Sequence, residues 1–290
     1  MMDWANAVVQ GILLGGQYTL LACGLSLIFG VMRIVNLAHG ALAVASAYVV
    51  LFLVDNAGFP LPVALVVSVA VAAGVGYALQ RGLLNAALSR GELAPLLVTF
   101  GLAVIVVNVL QETASANSRS VDIGDLSTAS IRVVSGLSIG VFSLITLVVA
   151  VAVITGIQLF LARTRVGRAM RATSDDREAA QLMGVNDRHL YALATAIAVG
   201  SVALAGAFIG MSTQFTPGYG DLVLIFAFEA VIIGGLGSLW GTLLGGLVLG
   251  IAQTVGAQID PAYGVLFGHL VFLAVLAFRP SGLMPKMVTA

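Results

Sequence analysis

Eight long stretches of this chain contain no aspartate, glutamate, lysine or arginine, and this feature limits the possible folds most strongly. They cover residues 4–32, 34–54, 56–80, 93–111, 133–162, 189–220, 230–259 and 261–278, each with 18 residues or more. A helix that crosses a bilayer needs roughly 20 apolar residues, and an ionised group near its centre costs several kcal/mol. The stretches therefore predict an all-α, polytopic membrane protein, with residues 1–290 forming a single transmembrane domain.

The composition excludes other classes of protein. The chain is 60% hydrophobic and 9% charged, whereas soluble domains are about 45–50% apolar and about 25% charged. Its 13 basic and 13 acidic side chains balance, so no strong field favours nucleic-acid binding. A transmembrane barrel would alternate apolar and polar residues, but residues 61–79 are apolar on every face. The single cysteine, Cys23, cannot form an intrachain disulfide and is expected to pack in the interior.

The distribution of basic residues predicts the orientation. The stretch 230–259 is interrupted by glycines at 234–238, and Glu229 precedes it, so the chain can be read as eight or nine spans. If the Arg-rich loop 163–188 is cytoplasmic, nine spans leave only Arg119 and Arg132 outside. The other 11 of the 13 basic residues are then inside: Arg33, Arg81, Arg90, Arg163, Arg165, Arg168, Arg171, Arg177, Arg188, Arg279 and Lys286. The positive-inside rule favours nine spans, with the N-terminus outside and the C-terminus inside. A re-entrant short helix is the alternative.

Glycine spacing predicts how the helices pack. The chain has 34 glycines. Several recur at intervals of four residues: Gly11 and Gly15, Gly206 and Gly210, Gly237, Gly241 and Gly245, and Gly246 and Gly250. Small residues at this spacing let helix backbones approach closely in a membrane. We therefore expect Gly-rich contacts between the spans.

The polar loop 163–188 carries the signals of a short surface helix. Thr173 or Ser174 is placed to cap its N-terminus. Three acidic residues would then suit the positive end of the helix dipole: Asp175, Asp176 and Glu178. Gly184 is placed to end the helix in a left-handed conformation. Because a helix of about ten residues is marginal alone in water, we expect it to dock on this protein or on a soluble partner.

This same segment resembles a known motif. Residues 178–184 read Glu-Ala-Ala-Gln-Leu-Met-Gly and resemble the EAA loop of bacterial ABC importer permeases. In that family the loop is the coupling helix, which sits in a cleft of the cytoplasmic ATPase subunit. The resemblance implies ATPase-coupling roles for Glu178, Ala179, Ala180 and Gly184.

Three further segments resemble the branched-chain amino acid permeases of the LivH type. Residues 24–40 resemble the opening signature of that family, and residues 234–245 and 278–283 resemble its late motifs. The resemblance implies a permease subunit of an ATP-driven, binding-protein-dependent importer in the bacterial cytoplasmic (inner) membrane, forming half of the translocation path. The implied partners are a homologous second permease subunit, two cytoplasmic ATPase subunits and a periplasmic or extracellular solute-binding protein. The implied cargo is a branched-chain amino acid, although urea, short amides and other amino acids are carried by related importers.

The chain contains no phosphate-binding Gly-x-x-x-x-Gly-Lys-Ser/Thr loop. We therefore expect no cofactor in this chain and ATP hydrolysis by the partner subunits. No Ser/His/Asp or Cys/His arrangement indicates catalysis, and no metal site is indicated. A membrane enzyme is accordingly the least supported class. The open alternative is a self-contained secondary transporter of a small zwitterionic or amide solute, which would show paired broken helices and more intramembrane charges.

Four residues are candidates for the translocation path or a gate. Arg33, Asn36 and His39 fall between Gly30 and Gly40, either in a broken segment that lines the path or in an interfacial loop with a snorkelling arginine and a capping asparagine. Glu229 lies within an apolar run and is a gate, a polar tie between helices or a protonated carboxyl.

Other polar features have plainer interpretations. His269 is read as a packing histidine, and His189 lies at the predicted membrane edge. The outer loop 115–136 is long enough to contact a binding protein, although most such loops are solvated linkers.

Overall fold

The computed structural model describes residues 2–91, 93–134 and 137–284. The helices are α1 (Met2–Met32), α2 (His39–Asp55), α3 (Leu61–Leu79), α4 (Asn85–Leu88), α5 (Leu93–Ala114), α6 (Val141–Arg163), α7 (Arg165–Asp175), α8 (Arg177–Leu182), α9 (Asp187–Ser212), α10 (Tyr219–Gly234), α11 (Leu239–Ile259) and α12 (Tyr263–Phe278). A π-helical turn, Gln80–Leu84, joins α3 to α4. A 3-10 turn, Gly124–Ser127, precedes an antiparallel hairpin of β1 (Ser130–Val134) and β2 (Leu137–Gly140).

The apolar helices confirm the predicted all-α, polytopic architecture. Six are long and apolar enough to cross a membrane: α1, α3 with its extension to Leu88, α5, α6, α9 and α11. The helices α2, α10 and α12 have only 16 or 17 residues, which is about 24–26 Å against a hydrocarbon core of about 30 Å. The count of nine crossings therefore stays a prediction. The predicted inner position of Lys286 concerns a residue outside the described part of the chain.

The glycine-rich interruption at 234–238 divides one long apolar stretch into two helices. α10 ends at Gly234, and α11 begins at Leu239. Between them Gly235 and Gly237 have φ angles of 110° and 79°, which L-residues with a side chain rarely adopt. This break is the one that the nine-span reading requires.

α1 and α9 form the centre of the bundle. In each of these helices, 78% of the most apolar 18-residue stretch is buried, compared with 17–22% of the corresponding stretch in α3, α5 and α6. Glycines bring the central helices together, as predicted: a Cβ added to Gly15 of α1 would lie 2.6 Å from the Cα of Leu247 in α11. A Cβ on Gly250 would lie 2.5 Å from the backbone nitrogen of Gly15. Helices this close need glycine at the contact, because no side chain larger than a hydrogen atom fits there.

Two short helices begin inside the bundle, against each other. α1 ends at Met32, Arg33 takes a left-handed φ of 55°, and the chain then turns back along α1. At the start of α2, the imidazole of His39 bonds to the carbonyl of Leu21, about 17 Å from the end of α1. α10 starts at the same place, because a Cβ on Gly220 would lie 2.8 Å from the backbone nitrogen of Ala41. The two helices then run away from this junction.

Candidate functional site

The predicted surface helix is α8, but it is shorter than expected and has a different cap. Asp176 caps it, accepting a hydrogen bond from the backbone N–H of Ala179 at 3.0 Å. The predicted caps Thr173 and Ser174 are wrong because their hydroxyl groups donate elsewhere, to the carbonyls of Ala169 and Gly30. Asp175 is accordingly the last residue of α7, not part of the first turn of α8.

The end of α8 is as predicted. Gly184 has a φ of 82°, and its N–H donates to the carbonyl of Gln181 at 2.9 Å. The N–H of Val185 donates to the carbonyl of Ala180 at 3.1 Å, which completes a glycine-terminated helix end. No described atom would lie within 4 Å of a Cβ at position 184. The backbone conformation, not space, is what requires glycine here.

An ion pair holds α8 against the start of α9. The Nη2 and Nε atoms of Arg177 lie 2.7 Å and 2.8 Å from Oδ2 of Asp187. The guanidinium also lies 5.7 Å from the ring centroid of Tyr191, within the range of a cation–π contact. Sequence reasoning missed this brace. Its only local signal is an arginine and an aspartate on either side of the Gly184 turn.

α8 turns an apolar tip outward. Leu182 and Met183 are 88% and 84% exposed, whereas Ala180 is buried beneath the helix. Glu178 and Ala179 are also exposed. Two large apolar side chains at the tip of a short, braced helix are typical of a protein contact rather than of a solvated loop.

The structure places Arg33, Asn36 and His39 at three different positions. Arg33 is exposed, and its Nη2 donates to the carbonyl of Ser174 at 3.4 Å, so it joins the ends of α1 and α7. Asn36 is 3% exposed, and its Oδ1 accepts from the N–H of Ala38. Neighbouring Leu37 donates its N–H to the hydroxyl of Thr99 in α5, which gives one backbone group of this segment a partner on another helix.

His39 is completely buried at the start of α2. Its Nε2 lies 2.8 Å from the carbonyl oxygen of Leu21. A carbonyl can only accept, so Nε2 carries the proton and Nδ1 is the basic nitrogen. Nδ1 has no hydrogen-bond partner among the described residues. Residues 33–38 thus interrupt the helices, with Ile34, Asn36 and Ala38 buried and Arg33 exposed, and the three candidate side chains do not form one cluster.

Glu229 forms a polar tie between α10 and α12. Its Oε1 shares a short hydrogen bond with Nδ1 of His269, and its Oε2 has no partner within the described chain. His269 is therefore more than the packing residue that the sequence indicated. A second pair, the hydroxyl of Tyr18 and the side-chain carbonyl of Gln253, lies beside it. The ring of Phe226 contacts both pairs, because its centroid lies 5.0 Å from the ring centroid of Tyr18 and 6.2 Å from that of His269.

An exposed carboxylate beside the junction of α2 and α10 was missed from the sequence. Asp221 lies in the first turn of α10, next to Gly220, and its side chain is exposed. Gly40, which Gly220 contacts, is 15 residues before the end of α2, or about 22 Å. Exposed Leu222 and Ile225 share its face of α10. In the sequence, Asp221 is only the acidic residue that follows the charge-free stretch 189–220, because its position beside Gly40 depends on the turn at 213–218.

The outer loop is folded against the end of α9. Arg119 and Phe215 exchange two backbone hydrogen bonds of 2.9 Å and 2.8 Å, and the N–H of Val121 donates to the carbonyl of Gly210. This part of the loop, at residues 119–121, is therefore attached to the bundle instead of being a free linker. Its predicted end at Gly136 lies outside the described residues. In the described ranges, no group of three His, Cys, Asp or Glu side chains could hold a metal ion.

Known proteins resemble the chain over nearly its whole length. It is 29% identical to the high-affinity branched-chain amino acid transport system permease protein BraD of Pseudomonas aeruginosa, covering 98% of this chain and 96% of BraD. It is 30% identical to the fructose import permease protein FrcC of Rhizobium meliloti, covering 83% of this chain and 69% of FrcC. The solved structure of PsaBC from Streptococcus pneumoniae in complex with a Fab has the same fold, with a TM-score of 0.51 at 14% identity and coverage of 96% and 92%.

A family model decides the assignment. The model described as the permease component of the branched-chain amino acid transport system matches residues 7–276. This range includes the broken segment at 33–38, the braced helix α8 and the junction of α2 and α10. The chain belongs to the family of branched-chain amino acid transport system permease components.

Proposed function

We propose that the chain is the membrane permease subunit of an ATP-driven, binding-protein-dependent importer of branched-chain amino acids. The similarity to BraD over 98% of this chain supports the cargo. Similarity to FrcC, a fructose import permease protein, makes fructose the control solute for any transport assay.

The observation that carries the proposal is the set of contacts that hold α8 in place. A helix of six residues cannot hold its shape alone, yet α8 is capped by Asp176, ended by Gly184 and braced by Arg177. It follows α7 directly, and α7 ends against α1 through the hydrogen bond from Ser174 to Gly30. A force on the exposed tip of α8 would reach both α9 and the central helix α1. This is the mechanical requirement for coupling to an ATPase.

The remaining subunits follow from this role. We propose that two cytoplasmic ATPase subunits hydrolyse the ATP and that one of them binds the tip formed by Leu182 and Met183. A homologous permease subunit would cover part of the apolar surface of the weakly buried helices α3, α5 and α6. A solute-binding protein would dock on the outer side, where residues 115–121 fold against α9. This arrangement puts the N-terminus outside and the C-terminus inside.

We place the gate at the junction of α2 and α10. Both helices start there with close glycine contact, so a small rotation of either changes their separation. Asn36 and His39 fix the start of α2, and Glu229 fixes α10 to α12. The exposed face with Asp221, Leu222 and Ile225 combines one carboxylate with aliphatic side chains. Such a face suits the ammonium group and the branched side chain of the proposed cargo.

Transport by reconstituted complexes tests the proposal. The chain, its second permease and the ATPase subunits in proteoliposomes should take up leucine, isoleucine and valine only with the binding protein and hydrolysable ATP. Fructose and urea should not be taken up. Uptake by this chain alone, driven by an ion gradient without ATP, would support the secondary-transporter alternative and overturn the proposal.

A further inference from the structure

A basic cavity lies at the end of the bundle that also carries α8. It has a volume of about 490 Å³. Its walls come from the continuous rod of α3 and α4 and from the start of α9: Arg81, Asn85, Ala86, Ser89, Asn186 and Arg188. We propose that this cavity binds the phosphodiester headgroup of an anionic phospholipid.

The charge of the cavity supports an anionic ligand. Arg81 and Arg188 both line it, and neither forms an ion pair with a carboxylate in the described part of the chain. Asn186 adds an amide to the same wall. Two guanidinium groups converging on one space can share the oxygens of a phosphate, because each offers several N–H donors in a planar fork. Basic pockets between helices at the cytoplasmic side are a recurring type of lipid headgroup site.

The walls of the cavity are held in place by polar contacts. The amide of Asn85 donates to the carbonyl of Arg188 at 3.2 Å, which joins α4 to α9. The hydroxyl of Tyr77 lies 2.9 Å from Nδ1 of His189, and Arg81 donates to the same hydroxyl at 3.3 Å. The π-helical turn at Gln80–Leu84 inserts a residue where Arg81 is presented, and such turns are frequent at functional sites. Contacts across the wall thus join α4 to α9, and the side chain of Arg81 is positioned by Tyr77.

An apolar track leads away from the cavity along α3. Ala78 and Gly74 lie one and two turns from Arg81 on the same exposed face, and a Cβ at Gly74 would meet no described atom within 4 Å. Val71 and Val75 border this shallow track and are 49% and 43% exposed. An acyl chain can lie along this exposed face of small residues and valines. A free phosphate would use the arginines but not the track, so the observations favour a lipid.

The test compares lipids and charge-matched variants of the purified chain. Short-chain phosphatidylglycerol, phosphatidylcholine and inorganic phosphate are added in detergent, and thermal unfolding and lipid retention in native mass spectrometry are measured. The variant pair Arg81→Gln and Arg188→Gln removes both cavity cations. The control pair Arg90→Gln and Arg165→Gln removes the same charge from residues that do not line the cavity.

Phosphatidylglycerol should raise the unfolding temperature of the parent and of the control pair, and phosphatidylcholine should not. The cavity pair should bind phosphatidylglycerol roughly tenfold more weakly or worse, as expected when two charge-assisted contacts are lost. Equal stabilisation by inorganic phosphate would overturn the lipid assignment in favour of a free anion. Equal lipid binding by the two variant pairs would overturn the site. Binding of the ATPase subunits is measured for the same two variant pairs, and its loss in the cavity pair with unchanged lipid binding would instead assign the cavity to that protein interface.

Discussion

At Gly15, one added methyl group would lie 2.6 Å from the Cα of Leu247 and 2.7 Å from the carbonyl oxygen of Gly246. Both contacts are backbone atoms, so neither can move aside without shifting α11. We expect Gly15→Ala to destabilise the protein by about 1–3 kcal/mol, the typical effect of overpacking. Unfolding in detergent measures this effect.

Gly74→Ala is the matched control for Gly15→Ala. It also places alanine in an apolar helix, but no described atom would lie within 4 Å of the new methyl. Alanine is favoured over glycine within a helix by about 0.5–1 kcal/mol, so this variant should be neutral or slightly more stable. Similar losses in both variants would contradict the close-contact explanation.

Glu229 should tolerate loss of charge better than loss of its hydrogen bond. Glu229→Gln keeps an acceptor for His269, whereas Glu229→Ala leaves the half-buried His269 without its partner at a cost of about 1–3 kcal/mol. A double-mutant cycle with His269→Ala should show strong coupling, because the two side chains contact each other directly. Additive effects on unfolding would argue against the tie.

Asp221 tests the proposed path separately from folding. Asp221→Asn should leave assembly and unfolding temperature unchanged, because the side chain is exposed. It should lower leucine uptake at least tenfold if the carboxylate meets the ammonium group of the cargo. Leucine titrations in proteoliposomes measure this. Asp125→Asn, on the outer 3-10 turn, provides the control, and equal uptake by both variants would remove Asp221 from the path.

Individual residues show where sequence reasoning succeeds. The left-handed conformation in which Gly184 ends α8 depends on the residue itself and the adjacent turn, so the sequence predicted it correctly. The cap of α8 was misassigned because Thr173, Ser174 and Asp176 are all residue types that suit a cap. The hydroxyl groups of Thr173 and Ser174 instead donate to the backbone carbonyls of Ala169 and Gly30. The partner of Glu229 lies 40 residues away on another helix. Nothing local to either residue specifies that contact.

At the scale of helices, α8 can be tested through its C-terminal turn. Gly184→Val should abolish uptake and weaken ATPase-subunit binding, because a β-branched residue is strained at a φ of 82°. Gly184→Asn should retain most of both activities, since asparagine tolerates this conformation. Uptake and ATPase-subunit binding at parental levels in Gly184→Val would contradict the coupling role of α8.

The sequence predicted most helices but not that α2 and α10 begin against each other inside the bundle. Charge-free stretches gave the long apolar helices, because exclusion of charge from a bilayer acts on every residue of a span. The same rule cannot place the starts of α2 and α10, since backbone groups within residues 33–38 and 213–218 bond to other parts of the protein, as Leu37 does to Thr99 and Phe215 to Arg119. The β1–β2 hairpin was also missed. Its strands are only four and five residues long, and the apolar residues around it favoured a helix.

For the whole molecule, the orientation can be tested with single cysteines. The native Cys23 is fully buried and should not react, so the parent serves as a silent background. Leu182→Cys, at the exposed tip of α8, should be labelled only from the cytoplasm, and Ser127→Cys only from outside. The reverse pattern would overturn the orientation. A tag after Ala290, beyond the described residues, should be cytoplasmic with nine crossings and external with eight.

The packing of α1 against α11 sets the order in which this protein can be made. α1 emerges from the ribosome well before the helix that interlocks with its glycines, which ends at Ile259. At about 5–20 residues per second, synthesis leaves α1 without that neighbour for roughly 10–45 s. During this interval its small-residue face and the hydroxyls of Thr19 and Ser26, buried in the finished protein, must be sheltered by lipid or by the insertion machinery. Biogenesis, rather than final stability, is therefore the stage at which damage to the glycines of α11 should first become visible.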